Sequence, residues 1–523
     1  MVSRYCTKLV LCWLFSLFFT SCVSDDTNNG IPVSAERYNL SPGGDGIVFN
    51  AGTDESDGLS YQWYRGNDSI FGNAELIEGA TSATYNTGKI AKGIHYYFCV
   101  IKNGASATTI RPFSVAFTGL PLVEIHTVDN EEPTAEYVSY ENYGGNYGKT
   151  LRNATKVPAS MRITSNTGEV LFESGDYEKG KSGLKIKLRG NTSATYGDKK
   201  PYKITLQKKA DLLKGICISN TDQREGEAYE DTDWLLLKEA TSLNTVVSLT
   251  VADIAGTPWT PKLAFVDVVI NGKYRGVYHL MESIKRSEKR INIDEDGWIF
   301  ERDSYWWNED VRIITDLYDQ KYTFKYPKPK EMQEQEFLYM KNFLADVEAS
   351  IQNGTYDQYI DVQSFARWVL IHDILGSTDL GGSNLFFSKF DSTPNTLLEL
   401  ATPWDFDSEM EDEGIWSVFH DSYRGYFKFM FESANTSFSE AYRRQWENIA
   451  PTLWTALQAR LNEFKATSGE ALDLSREYDA LRWNTSNKTV EAEIEAAENW
   501  FIPRIQWLNL QILGEDSLCS PKD

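Results

Sequence analysis

Cysteine, histidine and positive charge are all scarce in this chain. Six cysteines and five histidines occur among 523 residues, and no two cysteines stand in CxxC spacing. Neither a disulfide-stapled scaffold nor a zinc ribbon fits that pattern. Lys and Arg number 52 against 75 Asp and Glu, a net charge of -23. This argues against a general nucleic-acid binder, which needs a basic surface to displace counterions. It also means that a phosphate ligand must be met by a local basic patch or a metal ion. No P-loop or GxGxxG is present, so the generic nucleotide fingerprints fail. No repeat of 20–50 residues stands out, which sets aside solenoids and propellers.

What is present is a globular composition, 41% hydrophobic and 13% aromatic, in a chain long enough for two or three domains. Arg4 and Lys8 precede a run from Leu9 to Phe19 that is apolar apart from one serine. That run is shorter than the ~20 residues of a membrane span and reads as the core of a signal peptide, residues 1–21. Phe19-Thr20-Ser21-Cys22 looks like a bacterial lipobox, in which Cys22 becomes the lipidated N-terminus, and Asp25-Asp26 resembles the surface-export signal of Bacteroidetes lipoproteins. The expected location is the outer membrane, lipid-anchored and surface-exposed. With Cys6 and Cys12 lost in the signal, Cys99, Cys217 and Cys519 remain, and a bridge between two of them is left open.

Residues 22–36 read as the lipidated end and a polar tether. Residues 37–118 hold short alternating segments at Gly46–Asn50, Ser60–Arg65, Ala83–Asn86, Tyr96–Lys102 and Thr108–Phe117, which predict a small all-β sandwich. Trp63, and Tyr97 two residues before Cys99, resemble an immunoglobulin-type core. The partner cysteine is missing, and Val48 or Phe49 takes its place. A spacer or binding module is expected here, folding by itself and dispensable for catalysis.

From residue 119 to about 515 a strand-rich lobe precedes a helix-rich one. Strands are predicted at Leu184–Leu188, Tyr202–Leu206, Trp234–Leu237 and Ala264–Ile270, the last turning through Asn271-Gly272 into a hairpin of type I′. Helices are predicted at Thr245–Ala255, through Phe337 to Ile351, at Asp361–Leu375 with Asp361 as N-cap and Gly376 as the stop, and near 438–466 and 487–513. Two strands, Leu385–Phe390 and Leu397–Leu400, lie between them.

Three constellations in this region can carry chemistry. Asp379-Leu-Gly-Gly-Ser-Asn384 places a carboxylate and an amide five positions apart on one loop. A phosphotransferase needs a carboxylate to orient a hydroxyl and an amide oxygen near its metal, and the spacing matches protein-kinase catalytic loops. Taken alone it is also what a solvated turn looks like. Pro403-Trp404-Asp405-Phe406-Asp407 follows a short apolar strand. Asp405 lies between two bulky apolar side chains, so it calls for a partner or a cation. Glu411–Glu413 read as a solvated acidic loop. Finally, Arg189-Gly190-Asn191-Thr192-Ser193 and Lys199-Lys200-Pro201-Tyr202-Lys203 form a basic strand–loop–strand, suited to phosphates but equally common as a solvated face.

Together these motifs resemble the CotH-type (spore-coat CotH) kinase family over roughly residues 119–515. Also carrying the resemblance are Asp233-Trp-Leu-Leu-Leu237, Trp259-Thr-Pro261, Val266 through Tyr278, Glu282 and Phe324-Lys-Tyr-Pro327. The resemblance implies an α+β atypical protein-kinase-like domain that transfers phosphate from ATP, with Mg²⁺ or Mn²⁺, to Ser or Thr of a surface or secreted protein. It implies Asp379 as the catalytic aspartate and Asn384 with Asp405 as the metal pair, Asp407 adjoining. Lys200, or Lys203 as alternative, would contact phosphate beside Arg189, with Glu282 able to pair with that lysine. The chain departs from the family in two places. Thr245-Val-Val-Ser-Leu249 replaces an Arg-Asn pair, and Gly381-Gly382 stands where a His is common. The alternatives are a catalytically inactive kinase-like binding protein or adhesin, and, on the strength of 15 tryptophans, a polysaccharide-binding module.

Overall fold

The structure, a computed structural model, describes residues 36–39, 46–51, 58–68, 70–103, 107–140, 149–218, 229–379, 383–406, 408–412 and 414–514. Cys22, Asp407 and Cys519 lie outside the described residues.

The predicted alternation of the N-terminal segments becomes a five-stranded sheet and a two-stranded one. In the larger, Gly93–Asn103 lies between Leu59–Gly66 and Ala107–Phe117. Phe49, Trp63, Tyr97, Cys99, Phe113 and Val115 point into one core. Of the two residues expected there, Phe49 is the one in the core: it is fully buried and its ring lies 6.0 Å from Trp63, whereas Val48 is exposed. The Trp63 indole donates to the Ser82 carbonyl at 2.9 Å, so the burial of its N–H is satisfied. Cys99 is a free thiol, and burial pushes its pKa up to about 11.

These sheets are joined to the remainder of the molecule. Tyr478 reaches the Ser114 hydroxyl at 3.1 Å and the Ser114 carbonyl at 3.1 Å, and Lys92 pairs with Glu470 at 3.1 Å. Ala116, Leu122, Val269, Tyr274 and Tyr478 form a small shared core.

Seven strands then close into a barrel: Leu122–Thr127, Val157–Thr164, Leu184–Leu188, Tyr202–Ala210, Asp231–Leu237, Lys273–Glu282 and Leu263–Ile270, the last lying parallel to the first. Closure leaves none of the seven as an open edge. Leu184–Leu188 shows how the sequence writes this: leucine and isoleucine point inward and Lys185 and Lys187 outward. Leu263–Ile270 is buried at every position because its outer face is covered by helices. The turn after it has φ of 52° at Asn271 and 73° at Gly272, the type I′ conformation expected.

A second, antiparallel sheet runs in the order Arg312–Ile314, Lys321–Tyr326, Trp298–Arg302, Leu385–Lys389, Leu398–Thr402. One face, with Phe300, Phe324, Phe387 and Leu400, packs on the helices. The other carries Ile299 and Glu301. The sheet modifies the expected order of lobes, since three of its strands precede the long helix Glu334–Asn353 and two follow the helix Val362–Leu375. Asp361 caps the latter as expected, accepting from the amides of Gln363 at 2.8 Å and Ser364 at 3.0 Å, and Gly376 ends it at φ 60°. The expected helix over 438–466 is two, Ser437–Ile449 and Leu453–Phe464, separated at Pro451. A further helix, Glu470–Trp483, precedes Val490–Leu513. Among the described residues no helix is long and apolar enough to cross a membrane.

Candidate active site

The site lies where the second sheet faces the Arg189 loop of the barrel. The strands Leu385–Lys389 and Leu398–Thr402 are hydrogen-bonded neighbours, so the residue just before one and the segment just after the other fall side by side. Those positions are Asn384 and Asp405. The Asn384 amide nitrogen donates to Asp405 Oδ2 at 2.9 Å across 21 residues of chain. Both have positive φ, 78° and 70°, a conformation that Asn and Asp tolerate better than other side chains. Asp405 is exposed while Phe406 beside it is buried, so the flanking aromatics anchor the segment without covering the carboxylate.

Arg189 faces this pair from the barrel. Burial lowers its pKa, against the pull of Glu239, Asp405 and Glu301. Asp379 is exposed at the end of the segment that leaves the helix Val362–Leu375. It falls within electrostatic reach of Tyr305, whose pKa is raised by burial and then by the carboxylates of Asp303 and Asp379. The Tyr305 hydroxyl in turn meets Thr192 of the Arg189 loop at 2.7 Å. Asp379, Asn384, Asp405 and Arg189, scattered over more than two hundred residues of sequence, are thus brought to one place.

Lys200 and Glu282 are not brought together. The Lys200 ammonium donates to the carbonyls of Ala194 at 3.0 Å and Gly197 at 2.7 Å, tying the loop to itself. Glu282 is buried, accepts from Trp259 Nε1 at 3.3 Å and the Lys262 amide at 3.0 Å, and lies 3.8 Å from Arg290. The expected pairing with the lysine is corrected for a geometric reason. Strand register sets Glu282 opposite Trp234, toward one end of the barrel sheet, whereas Lys200 precedes Tyr202, which pairs with Leu236 toward the other. Glu282 instead lines a separate cavity of about 690 Å³ with Trp259, Arg290 and Arg367. Lys203 lies on the barrel's outer face, 3.2 Å from Asp233.

A lysine–glutamate pair does exist at the site, in residues that sequence reasoning gave no role. Glu301 is buried on the strand Trp298–Arg302, and Lys325 stands on the neighbouring strand Lys321–Tyr326, 2.8 Å away. The Glu301 Oε1 also accepts the Asn384 backbone amide at 3.1 Å, so this carboxylate links the lysine to the Asn384–Asp405 pair. Burial raises the pKa of Glu301, chiefly against the Lys325 charge. That of Lys325 is raised as well: desolvation opposes its charge, and Glu301 and Asp303 outweigh it. The signal available in sequence was a glutamate inside the strand-like run Trp-Ile-Phe-Glu-Arg, with Lys325 inside the motif Phe324–Pro327.

Residues 186–508 match the model of the CotH kinase protein family. The chain belongs to that family. Asp379, Asn384, Asp405, Arg189, Glu301 and Lys325 all fall inside the CotH match, whereas the N-terminal sheets and the barrel strands Leu122–Thr127 and Val157–Thr164 precede it. Two strands that close the barrel are therefore contributed from outside the CotH region. No curated protein matches the chain.

The donor set suits a hard cation. Among the described residues no three His, Cys, Asp or Glu side chains converge as a self-sufficient metal cage. One carboxylate and one amide oxygen are a partial set of the kind Mg²⁺ uses when phosphate oxygens and water complete its octahedron.

Proposed function

We propose that this CotH-family protein is an ATP-dependent kinase that phosphorylates Ser or Thr hydroxyls of a surface or secreted protein, working outside the cell from a lipid anchor on Cys22. The observation that carries the reading is the juxtaposition of Asn384 and Asp405 at 2.9 Å in front of Arg189. Asp405 and Asn384 would hold Mg²⁺ or Mn²⁺, the amide turning its oxygen toward the ion. Such a cation, when bound, neutralises and orients the phosphate oxygens. Asp379 orients the acceptor hydroxyl and takes its proton as the new oxygen–phosphorus bond forms and the bond from the γ-phosphorus to the bridging oxygen breaks, that oxygen leaving with ADP. Arg189 supplies positive charge to a transferring phosphoryl group. Lys325, held by buried Glu301, takes over the role expected of Lys200, whose ammonium is engaged by two carbonyls. The N-terminal sheets act as an immunoglobulin-like spacer.

The test is incubation of the purified protein with labelled ATP and Mn²⁺ or Mg²⁺, with phosphosites located by mass spectrometry and Asp379→Asn as control. Self-phosphorylation of Ser or Thr that disappears in the control supports the reading. If no nucleotide binds under any metal condition, the kinase reading falls. The Gly381-Gly382 departure favours one alternative, a catalytically inactive kinase-like surface binding protein or adhesin, for which no labelled product would form.

A further inference from the structure

The segment that delivers Asp379 and the segment that follows Asp405 are fastened to one another behind the site. Three backbone bonds do part of this: the Thr378 amide to the Ser408 carbonyl at 3.0 Å, the Met410 amide to Leu375 at 2.8 Å, and the Val418 amide to Ser377 at 3.0 Å. Between them runs a buried side-chain chain. His372 Nδ1 lies 2.7 Å from the Ser377 hydroxyl, and that hydroxyl donates to Glu409 Oε2. His372, Ser377 and Glu409 are 3%, 2% and 7% exposed, too little for water to substitute for any of these bonds. Ser377 precedes Asp379 by two residues, and Glu409 follows Asp405 by four.

The Ser377 hydroxyl meets a neighbour on each side, Glu409 and His372 Nδ1. Burial holds the His372 pKa down near 3, so the ring is neutral throughout the physiological range. The arrangement looks like a nucleophile triad, but the serine is enclosed, and it serves as a two-sided fastener.

We propose that His372–Ser377–Glu409 is a positioning clamp that sets the Asp379 segment against the Asp405 segment, so that the acceptor-orienting carboxylate and the metal pair stay in mutual register. This rests on the kinase reading for its consequence, although the coupling of the two segments does not. Asn384 and Asp405 are independently anchored by the sheet and by Glu301, so the clamp bears chiefly on Asp379. A misplacement of about 1 Å in a reacting group can cost on the order of 10²-fold in rate.

Two measurements on Ser377→Ala decide it. Amide hydrogen exchange at Thr378 and Met410 should speed up together by about tenfold or more, while amides of the neighbouring sheet stay protected. A rise in only one segment, or in neither, overturns the clamp whether or not the protein is a kinase. In the phosphotransfer assay kcat should fall at least about tenfold, with the nucleotide KM within about threefold of the parent. Glu409→Gln, which keeps an oxygen acceptor for the serine, should stay within about threefold in both. If Ser377→Ala keeps the parent kcat per folded molecule, or loses nucleotide binding in proportion to rate, the residue is structural only and the proposal fails. A parent protein that neither binds nor transfers would refute the kinase reading, and the exchange result alone would then stand for or against the clamp.

Discussion

Replacement of Asp405 by Asn separates metal binding from folding. The side chain is exposed, and its bond to Asn384 at 2.9 Å is an exposed, charge-assisted one. Such bonds contribute about 1 kcal/mol or less to stability, so the melting temperature should move by no more than about 2–4 °C. The effect on a cation is of another order. Asp405 brings the one formal negative charge of the Asn384–Asp405 pair. A divalent ion and a unit charge at the ~2.1 Å of an Mg–O contact interact by about 4 kcal/mol even with the dielectric constant of water. Dehydration of the ion and the neutral amide that replaces the carboxylate recover part of that, and about 10²–10³-fold in metal-dependent nucleotide affinity is expected to go. Arg189 pulls the other way, because losing a neighbouring carboxylate leaves its charge less compensated and more attractive to phosphate. Nucleotide affinity without metal should therefore hold steady or rise slightly. Calorimetric titration of nucleotide with and without Mn²⁺, beside a thermal melt, reads all three quantities. Equal metal-dependent affinities in the variant and the parent would refute the assignment of Asp405, and a large drop in melting temperature would show that the residue is part of the framework.

Asp379→Asn should keep metal-dependent nucleotide binding and lose at least ~10²-fold in phosphotransfer rate, measured under saturating nucleotide, as general acid–base assistance is removed. A chain beginning at Gly119 should lose the partners that Ser114 and Ala116 give Tyr478 and its cluster, two hydrogen bonds and part of the burial of Tyr274 and Tyr478. It is expected to unfold about 3–5 kcal/mol more easily in a denaturant titration while still folding. An unchanged midpoint would favour the independent sandwich expected from sequence. His279 is buried, neither ring nitrogen is hydrogen-bonded among the described residues, and, like His372, it is held near a pKa of 3 by burial. Both folded pKa values lie below the ordinary 6.5, so the unfolded chain binds more protons. The stability these two neutral histidines carry is complete above about pH 6.5 and is lost as pH falls toward 3. Each contributes a slope of up to about 1.4 kcal/mol per pH unit, and His279→Leu should flatten the fall in urea midpoint across that window.

How much of the fold and the site is legible in the sequence can be traced residue by residue. Short-range patterns were enough for the strand Leu184–Leu188, the Asn271-Gly272 turn, the Asp361 cap and the Gly376 stop, because each is dictated by neighbours within a few positions: alternation, left-handed backbone, an oxygen reaching the amides two and three residues on. The D-x-x-x-x-N spacing and the Trp-Asp-Phe flank were equally local, and two of the residues they put forward, Asn384 and Asp405, meet at 2.9 Å. Local pattern could not say that Leu122–Thr127 closes a barrel, since pairing with Leu263–Ile270 is a contact across the whole lobe. Nor could it choose among lysines. Lys200, Lys203 and Lys325 look alike in sequence, and only strand register shows that the first serves its own loop, the second faces Asp233, and the third stands beside a buried glutamate that holds Asn384. A charge pair is a distance, and distances between strands are set when sheets assemble. Sequence by itself thus determined local strands, turns and caps, and put the Asn384 amide and the Asp405 carboxylate forward as a pair. Tertiary structure decided which cation meets which carboxylate, and that His372, Ser377 and Glu409, unremarkable where they stand in the chain, meet in the interior.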